Sequence, residues 1–211
     1  MQGRGALVVG GGAVGSRKAE TLLRAGARVT VVSPQAKPSL QALARDGRLT
    51  WHARPYRSTD MADAFLVFSA TDDAAVNRRI EADAARHGIL CNFADAPDRG
   101  HFLLPSIVER GDLLISISTS GTSPAVARRL RQALEAYFGE EYAPYLRLLG
   151  RVREYLLARE HAPEAHKHLF ERLIDGGLLA MVKAGDQNGM EALLKSVPGD
   201  DVDHRRLLSG M

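Results

Sequence analysis

Gly10, Gly12 and Gly15 fall in a G-x-G-x-x-G spacing, directly after the apolar run Ala6 to Val9 and directly before residues with helical periodicity. That context gives each glycine a task in holding a dinucleotide. Gly10 makes a tight turn, Gly12 lets the backbone approach a pyrophosphate, and Gly15 permits close packing of helix on strand. The pyrophosphate then rests on the helix N-terminus, where the helix dipole and free N–H groups, with Ala13 and Val14 in the turn, favour an anion. In NAD binders an Asp or Glu about 20 residues further on holds the ribose hydroxyls. Here the second strand ends Val31-Val32-Ser33-Pro34-Gln35, without a carboxylate. Ser33, Pro34 and Gln35 are the candidate cofactor contacts at that end. Ser33 or Gln35 could hydrogen-bond a ribose and would not repel a 2′-phosphate, and Lys37 is close enough to attract one. The choice between NAD and NADP stays open.

Asp95 stands in Asn92-Phe93-Ala94-Asp95-Ala96-Pro97, just past the apolar run Ile89 to Phe93. Open α/β sheets bind ligands outside the carboxyl ends of their strands, which puts Asp95 in position to face a cofactor or substrate. An Asx turn before Pro97 is the plainer reading. Asn92 either positions nicotinamide or substrate, or caps loop backbone. Thr71 is a candidate cofactor contact, whereas Asp73 reads as a helix cap. Ser118, Thr119, Ser120, Gly121, Thr122 and Ser123 bring hydroxyls and N–H groups ahead of a helix opened by Pro124, an arrangement suited to carboxylates. Arg128, with Arg129 and Arg131, could pair with carboxylates or form a solvated helix face. His166 and His168 diverge on a helix at i, i+2, and neither they nor His161 have a Cys or third ligand cluster beside them. They read as surface histidines, and no metal site is expected. His101 lies nearer Asp95 and is a weaker candidate. Cys91, inside an apolar run, reads as a small buried hydrophobe.

These residues need a particular set of elements. Apolar runs at 6–9, 28–32, 49–53, 64–70 and 89–93 alternate with helical stretches at 15–25, 38–46 and 73–87, which predicts a parallel sheet with right-handed crossovers. Ser33-Pro34 should end the second strand. After about residue 105 the pattern changes. Asp112 to Ser118 alternates apolar and polar residues and predicts a strand with no obvious sheet of its own, whose edges pairing across a dimer would satisfy. A helix from Ser123-Pro124 to about Phe138 carries apolar Val126, Leu130 and Leu134, and the remainder is helical in period, with a polar, frayed end.

Composition narrows the classes of function. With 28 Lys+Arg against 25 Asp+Glu the formal charge is +3, too weak to imply nucleic acid. One cysteine excludes an internal disulfide and points to a reducing, cytoplasmic setting. No apolar run approaches a membrane span and no signal-peptide pattern opens the chain.

Four segments in order, GGGAVGSRKAETLLRAGARVTVVSP, SATDDAAVNRRI, CNFADAP and FLLPSIVERGDLLISISTSGTSPAVARRLR, resemble the precorrin-2 dehydrogenase family, which includes the dehydrogenase–ferrochelatase module of siroheme synthase. The resemblance implies a Rossmann-like parallel sheet over 1–105, a strand-plus-helix dimerisation and substrate segment over 106–140, and a helical C-terminal domain over 141–211. It implies NAD-dependent oxidation of precorrin-2, a tetrapyrrole with eight carboxylates, to sirohydrochlorin. Asp95 would be the catalytic general base, the 118–123 loop and Arg128 would bind substrate, and the enzyme would be a homodimer. Some members also insert ferrous iron as a second substrate. Relatives carry more residues before the first strand, so a truncated start is expected, as is a stand-alone module. A nucleotide-sensing NAD-binding regulator would share the glycine turn but need neither the Asp95 motif nor the 118–123 loop. A short-chain oxidoreductase would need Tyr-x-x-x-Lys, which no tyrosine here supplies.

Overall fold

Alternate residues of the first strand bury toward opposite sides. Ala6 and Val8 join one apolar cluster and Leu7 and Val9 another, and all four are at most 3% exposed. Only a strand covered on both faces needs that composition. The computed structural model, which describes residues 1–158, 163–195 and 204–209, shows β1 (Gly5–Gly11) at the centre of a parallel five-stranded sheet. Its neighbours are β2 (Arg28–Ala36), β3 (Thr50–His52), β4 (Leu66–Ser69) and β5 (Leu90–Phe93), in the order β3-β2-β1-β4-β5. Helices α1 (Ala13–Arg24) and α2 (Pro38–Arg45) cover one face through Ala19, Leu22 and Leu40. Helix α3 (Ala74–His87) covers the other through Ile80 and Ala84. Each buried Leu or Ile side chain among these contributes about 1.5–3 kcal/mol. The order reverses between β1 and β4, which opens a crevice at their carboxyl ends.

Strand β2 does not stop at Ser33-Pro34. It continues to Ala36, which pairs with Gly11 after a register shift. Proline is tolerated there because β3 pairs only with Thr30–Val32, so the outer edge past Val32 has no ladder to lose.

On the α3 side, Tyr56 donates its hydroxyl to Asp83 at 2.9 Å in a buried pair. Burial opposes ionisation of Asp83, but hydrogen bonds from Ser58 and Tyr56, with the charges of Arg86 and Arg79, together outweigh it and hold the carboxyl below the usual range. A depressed folded-state pKa stabilises the fold above the ordinary carboxylate range and ceases to do so as pH falls through it. Tyr56→Phe should therefore cost about 2 kcal/mol at neutral pH. The cost should shrink as pH falls below ~4, where Asp83 of the unfolded chain takes up its proton before that of the folded chain. Denaturant melts at pH 7 and pH 3 check this.

The chain divides into two compact units, Met1–Leu104 and Pro105–Met211. In the second, β7 (Leu113–Ile117) finds its partner within the chain: β6 (Ser106–Arg110) pairs with it antiparallel across Gly111-Asp112. The expected absence of an own sheet is corrected, and Gly111 at φ 60° supplies the left-handed conformation that a two-residue hairpin turn demands. Helix α4 (Pro124–Tyr137) packs on this hairpin through buried Ala127, which leaves Val126 and Leu130 facing outward at 50% and 46% exposure. Arg110 donates to the carbonyls of Glu135 and Phe138 and so satisfies the C-terminal end of α4.

Helices α5 (Tyr142–Leu157), α6 (Pro163–Asp175), α7 (Leu178–Ala184), α8 (Gln187–Leu194) and α9 (His204–Leu208) share one apolar cluster built on Tyr145, Leu148, Val152 and Leu156. Two expectations change here. The tail is not wholly frayed, since α9 buries Leu207 in this cluster. His166 is not a surface residue: it is 7% exposed, on the same helix face as Leu169 and Leu173. His168 points out toward Glu171, and His161 lies outside the described residues.

Candidate functional site

The three glycines of the turn differ in what surrounds them. Gly10 has φ 114°, and a Cβ there would stand 2.3 Å from the Ala70 carbonyl oxygen, so β1 and the end of β4 touch at that point. A Cβ on Gly15 would stand 1.9 Å from the Gly10 carbonyl oxygen. Both positions are closed to any side chain. At Gly12, by contrast, no atom lies within 4 Å of a Cβ position. Internal packing therefore gives no reason for glycine at 12, and the open space fits a ligand lying against the backbone. Gly12 is the N-cap of α1 and no side chain caps it. The first turn holds no acidic residue, leaving the N–H groups of Ala13, Val14 and Gly15 without a side-chain acceptor. This is an anion site in form, and the diphosphate of a dinucleotide fits it.

At the end of β2, the Ser33 carbonyl accepts from Trp51 Nε1 at 3.1 Å, while Pro34 and Gln35 are exposed. The backbone N–H of Lys37 donates to the Gly11 carbonyl at 2.9 Å, which ties this strand end to the glycine turn. No carboxylate occurs anywhere in Arg28–Ala36.

Asp95 follows β5 and is exposed. One of its oxygens accepts from Asn77 Nδ2 at 2.9 Å. The same nitrogen donates to the Thr71 carbonyl at 3.2 Å, and Asn77 Oδ1 accepts from the Ser69 hydroxyl. Asn77 is wholly buried, on α3, and sequence reasoning missed it; a polar amide on the sheet-facing side of that helix was the available signal. Asp73 caps α3 by accepting from the N–H groups of Ala75 and Val76, as expected, and Thr71 Oγ1 accepts from the Asp73 N–H at 3.2 Å.

The segment after Asp95 folds back along β5. His101 N–H donates to the Cys91 carbonyl at 2.8 Å and Cys91 N–H donates to His101 Nδ1 at 3.0 Å, which puts the ring proton on Nε2. Asn92 Nδ2 donates to the Phe102 carbonyl at 2.8 Å, so its amide holds loop backbone. Arg99, another residue that the sequence did not single out, pairs with Glu81. It lies 5.3 Å from the Phe93 ring centroid and feels the negative charges of Asp95 and Asp98. The Cys91 thiol is fully buried, which pushes its pKa up to about 12 and makes it unreactive.

In the second unit, Ser118–Ser123 forms a tight turn. Ser120 and Gly121 both have positive φ, 51° and 81°, and Thr122 N–H donates to the Thr119 carbonyl at 2.9 Å. Ser118 Oγ and Thr119 Oγ1 accept from the N–H groups of Ser120 and Ser123, and Ser123 Oγ caps α4 at Val126. Three loop N–H groups are thereby used internally. The hydroxyl protons of Ser118 and Thr119 are left to donate outward. Arg131 is held by Glu135, whereas Arg128 and Arg129 are exposed on the same helix.

Among the described residues no group of three or more His, Cys, Asp or Glu side chains could hold a metal ion, and no helix is long and apolar enough to cross a membrane. A cavity of about 230 Å³ opens beside Gly5 and Arg28, at the opposite end of β1 from the glycine turn.

Residues 1–106 match the family described as putative NAD(P)-binding, and residues 110–137 match the central segment of sirohaem biosynthesis proteins. The siroheme synthase of Nitrosospira multiformis is 37% identical over 196 residues, which is 91% of this chain and 42% of that protein. Siroheme synthase 1 of Aeromonas salmonicida is 38% identical over 182 residues, 86% of this chain and 39% of its own length. The chain thus spans about two fifths of these relatives. Among solved structures, SirC, a precorrin-2 dehydrogenase, superposes with a TM-score of 0.78 at 26% identity, covering 92% of this chain and 96% of SirC.

Proposed function

Because this chain belongs to the family described as putative NAD(P)-binding and is similar to siroheme synthases and to a precorrin-2 dehydrogenase, we propose that it oxidises precorrin-2 to sirohydrochlorin, with NAD⁺ taking the hydride. The observation that carries this reading is an exposed carboxylate at the carboxyl end of β5, in the same sheet as an uncapped glycine-turn helix with open space at Gly12. NAD⁺, when bound, supplies the hydride acceptor. Gly10, Gly12, Ala13, Val14 and Gly15 cradle its diphosphate, and Ser33, Pro34, Gln35 and Thr71 line its path. The reaction also releases one proton, since precorrin-2 and NAD⁺ give sirohydrochlorin, NADH and H⁺. Asp95, which is exposed and accepts one hydrogen bond on one oxygen, has lone pairs left to take that proton. Asn92, committed to the Phe102 carbonyl, acts by shaping the loop that carries Asp95.

The outward hydroxyls of Ser118 and Thr119, with Ser120, Gly121, Thr122, Ser123 and Arg128, suit the many carboxylates of precorrin-2. Asp95 can also accept the pyrrole N–H protons displaced by ferrous iron, the second substrate of a bifunctional enzyme. We place the reaction in the cytoplasm, where a lone unreactive thiol stays reduced. A homodimer is supported by the apolar side chains Leu114, Val126, Leu130 and Tyr137, 59%, 50%, 46% and 73% exposed on β7 and α4. Light scattering should read twice the 22.9 kDa chain mass, and a monomer at micromolar concentration would contradict the dimer. The activity is tested by mixing the protein anaerobically with precorrin-2 and either NAD⁺ or NADP⁺. Cofactor-dependent loss of precorrin-2 absorption is expected, and loss that ignores the cofactor would refute the reading.

A further inference from the structure

We infer that Asn77 is a positioning residue that locks the Asp95 carboxylate to the strand end abutting the glycine turn. The inference rests on the function proposed above only for what Asp95 does; the lock itself follows from the geometry. Asn77 uses all three of its strong hydrogen-bonding directions without exposure to solvent. Its two amide hydrogens go to Asp95 at 2.9 Å and to the Thr71 carbonyl at 3.2 Å, and its oxygen accepts from Ser69.

The Asp95 carboxylate and the Thr71 carbonyl, which can only accept, decide which way the amide faces, and the Ser69 hydroxyl, itself 1% exposed, gives its proton to the amide oxygen. Reversing the amide would set its oxygen against a carboxylate and a carbonyl, two buried or half-buried acceptor contacts with no proton between them. One orientation is therefore enforced, and it presents a donor to Asp95. The acceptor Thr71 adjoins a close internal approach of the site, since a Cβ on Gly10 would be 2.3 Å from the Ala70 oxygen and 3.1 Å from the Thr71 nitrogen. Asn77 thus ties a residue on the exposed loop after β5 to the backbone that shapes the cofactor cradle. The backbone around Asp95 is also held, by the Ala94 N–H on the Ser69 carbonyl at 2.9 Å, the Arg99–Glu81 pair and the Cys91–His101 and Asn92–Phe102 bonds, but none of these orients the Asp95 carboxylate itself.

The charged groups near Asp95 are Arg99 and Asp98 on the following turn and Glu81 on α3, which pairs with Arg99. None of these supplies the hydrogen bond that Asn77 donates. The near-isosteric change Asn77→Asp replaces that donor with a second carboxylate, and two carboxylates at hydrogen-bond distance retain a shared proton.

The test uses the full chain with ¹³C-labelled aspartate. The Asp95 carboxyl signal is titrated by NMR in wild type and in Asn77→Asp, and the pH dependence of NADH release from precorrin-2 is measured in both. Expected are a titration midpoint and an acid limb of kcat/KM that both move to higher pH by about one unit or more. Asn77→Ala should lower kcat about 100-fold while changing the KM for NAD⁺ by less than about threefold. If Asn77→Asp does not fold, Asn77→Ala, which removes the donated hydrogen bond from the carboxylate, should move the same midpoint in the same direction. An unmoved midpoint in a folded variant overturns the inference. If the midpoint moves but wild type releases no NADH, the assignment of Asn77 stands and the proposed function falls.

Discussion

Replacing Asp95 with Ala should reduce oxidation of precorrin-2 by about 10²- to 10⁴-fold, the range of a positioned general base, while NAD⁺ affinity changes by less than about threefold. The two halves of this expectation come from different parts of the site. The cradle is made by the glycine turn and the start of α1, and neither uses the Asp95 side chain. Among the described residues the Asp95 carboxylate accepts a hydrogen bond from Asn77 alone, so its removal leaves one buried amide hydrogen unpaired. That costs about 1–3 kcal/mol of stability, too little to unfold a chain of ordinary stability. Steady-state NADH release read beside a cofactor-binding titration separates the effects. Equal loss of both would show that Asp95 serves the cofactor and not the proton.

Gly12→Asp should abolish cofactor binding, with at least about a 100-fold loss of affinity, and should not weaken the fold. The backbone at Gly12 has φ −76°, accessible to any residue, and a Cβ there meets nothing within 4 Å. An aspartate at an N-cap accepts from the N–H groups of the first turn and stabilises the helix by roughly a few tenths of a kcal/mol relative to the glycine it replaces. Those are the N–H groups proposed to receive the diphosphate. The substitution would fill the anion site with the protein's own carboxylate and set a negative charge against the ligand's. A melting temperature equal to or above that of wild type, with NAD⁺ binding lost, is the expected pair of results. Normal NAD⁺ affinity in this variant would remove the glycine turn from the site. The contrast with Gly15 is sharp, because a Cβ 1.9 Å from the Gly10 oxygen at that position would damage the fold before it could report on binding.

The sheet was legible because apolar runs such as Leu7–Val9 and Leu66–Phe68 can exist only between two covering layers, and the helices between them carry their own stops. The glycine turn was legible for the same reason that it works: spacing, preceding strand and following helix all lie within a few residues of one another. What could not be read depends on contacts between residues distant in sequence. The β6 partner of β7 was hidden because Ser106–Arg110 is short and polar at three of five positions, and the hairpin rests on one glycine conformation. The outward turn of Val126 and Leu130 on α4 escaped a periodicity argument, since period says that residues share a face and not which way that face points. Asn77 lies 18 residues before the carboxylate that it holds, with a helix and a strand between them. His166 was misjudged because its i, i+2 relation to His168 was weighed for metal binding, when its i+3 and i+7 relation to Leu169 and Leu173 decides its burial.

The central claim is that this chain moves a hydride from precorrin-2 to NAD⁺ and a proton to Asp95. It is tested most directly by anaerobic incubation of the purified chain with precorrin-2 and NAD⁺, following NADH and tetrapyrrole absorption in the same cuvette. One NADH should appear for each sirohydrochlorin formed, and the Asp95→Ala variant should give neither at a comparable rate. Sirohydrochlorin appearing without matching NADH, or at the same rate in the variant, would contradict the account.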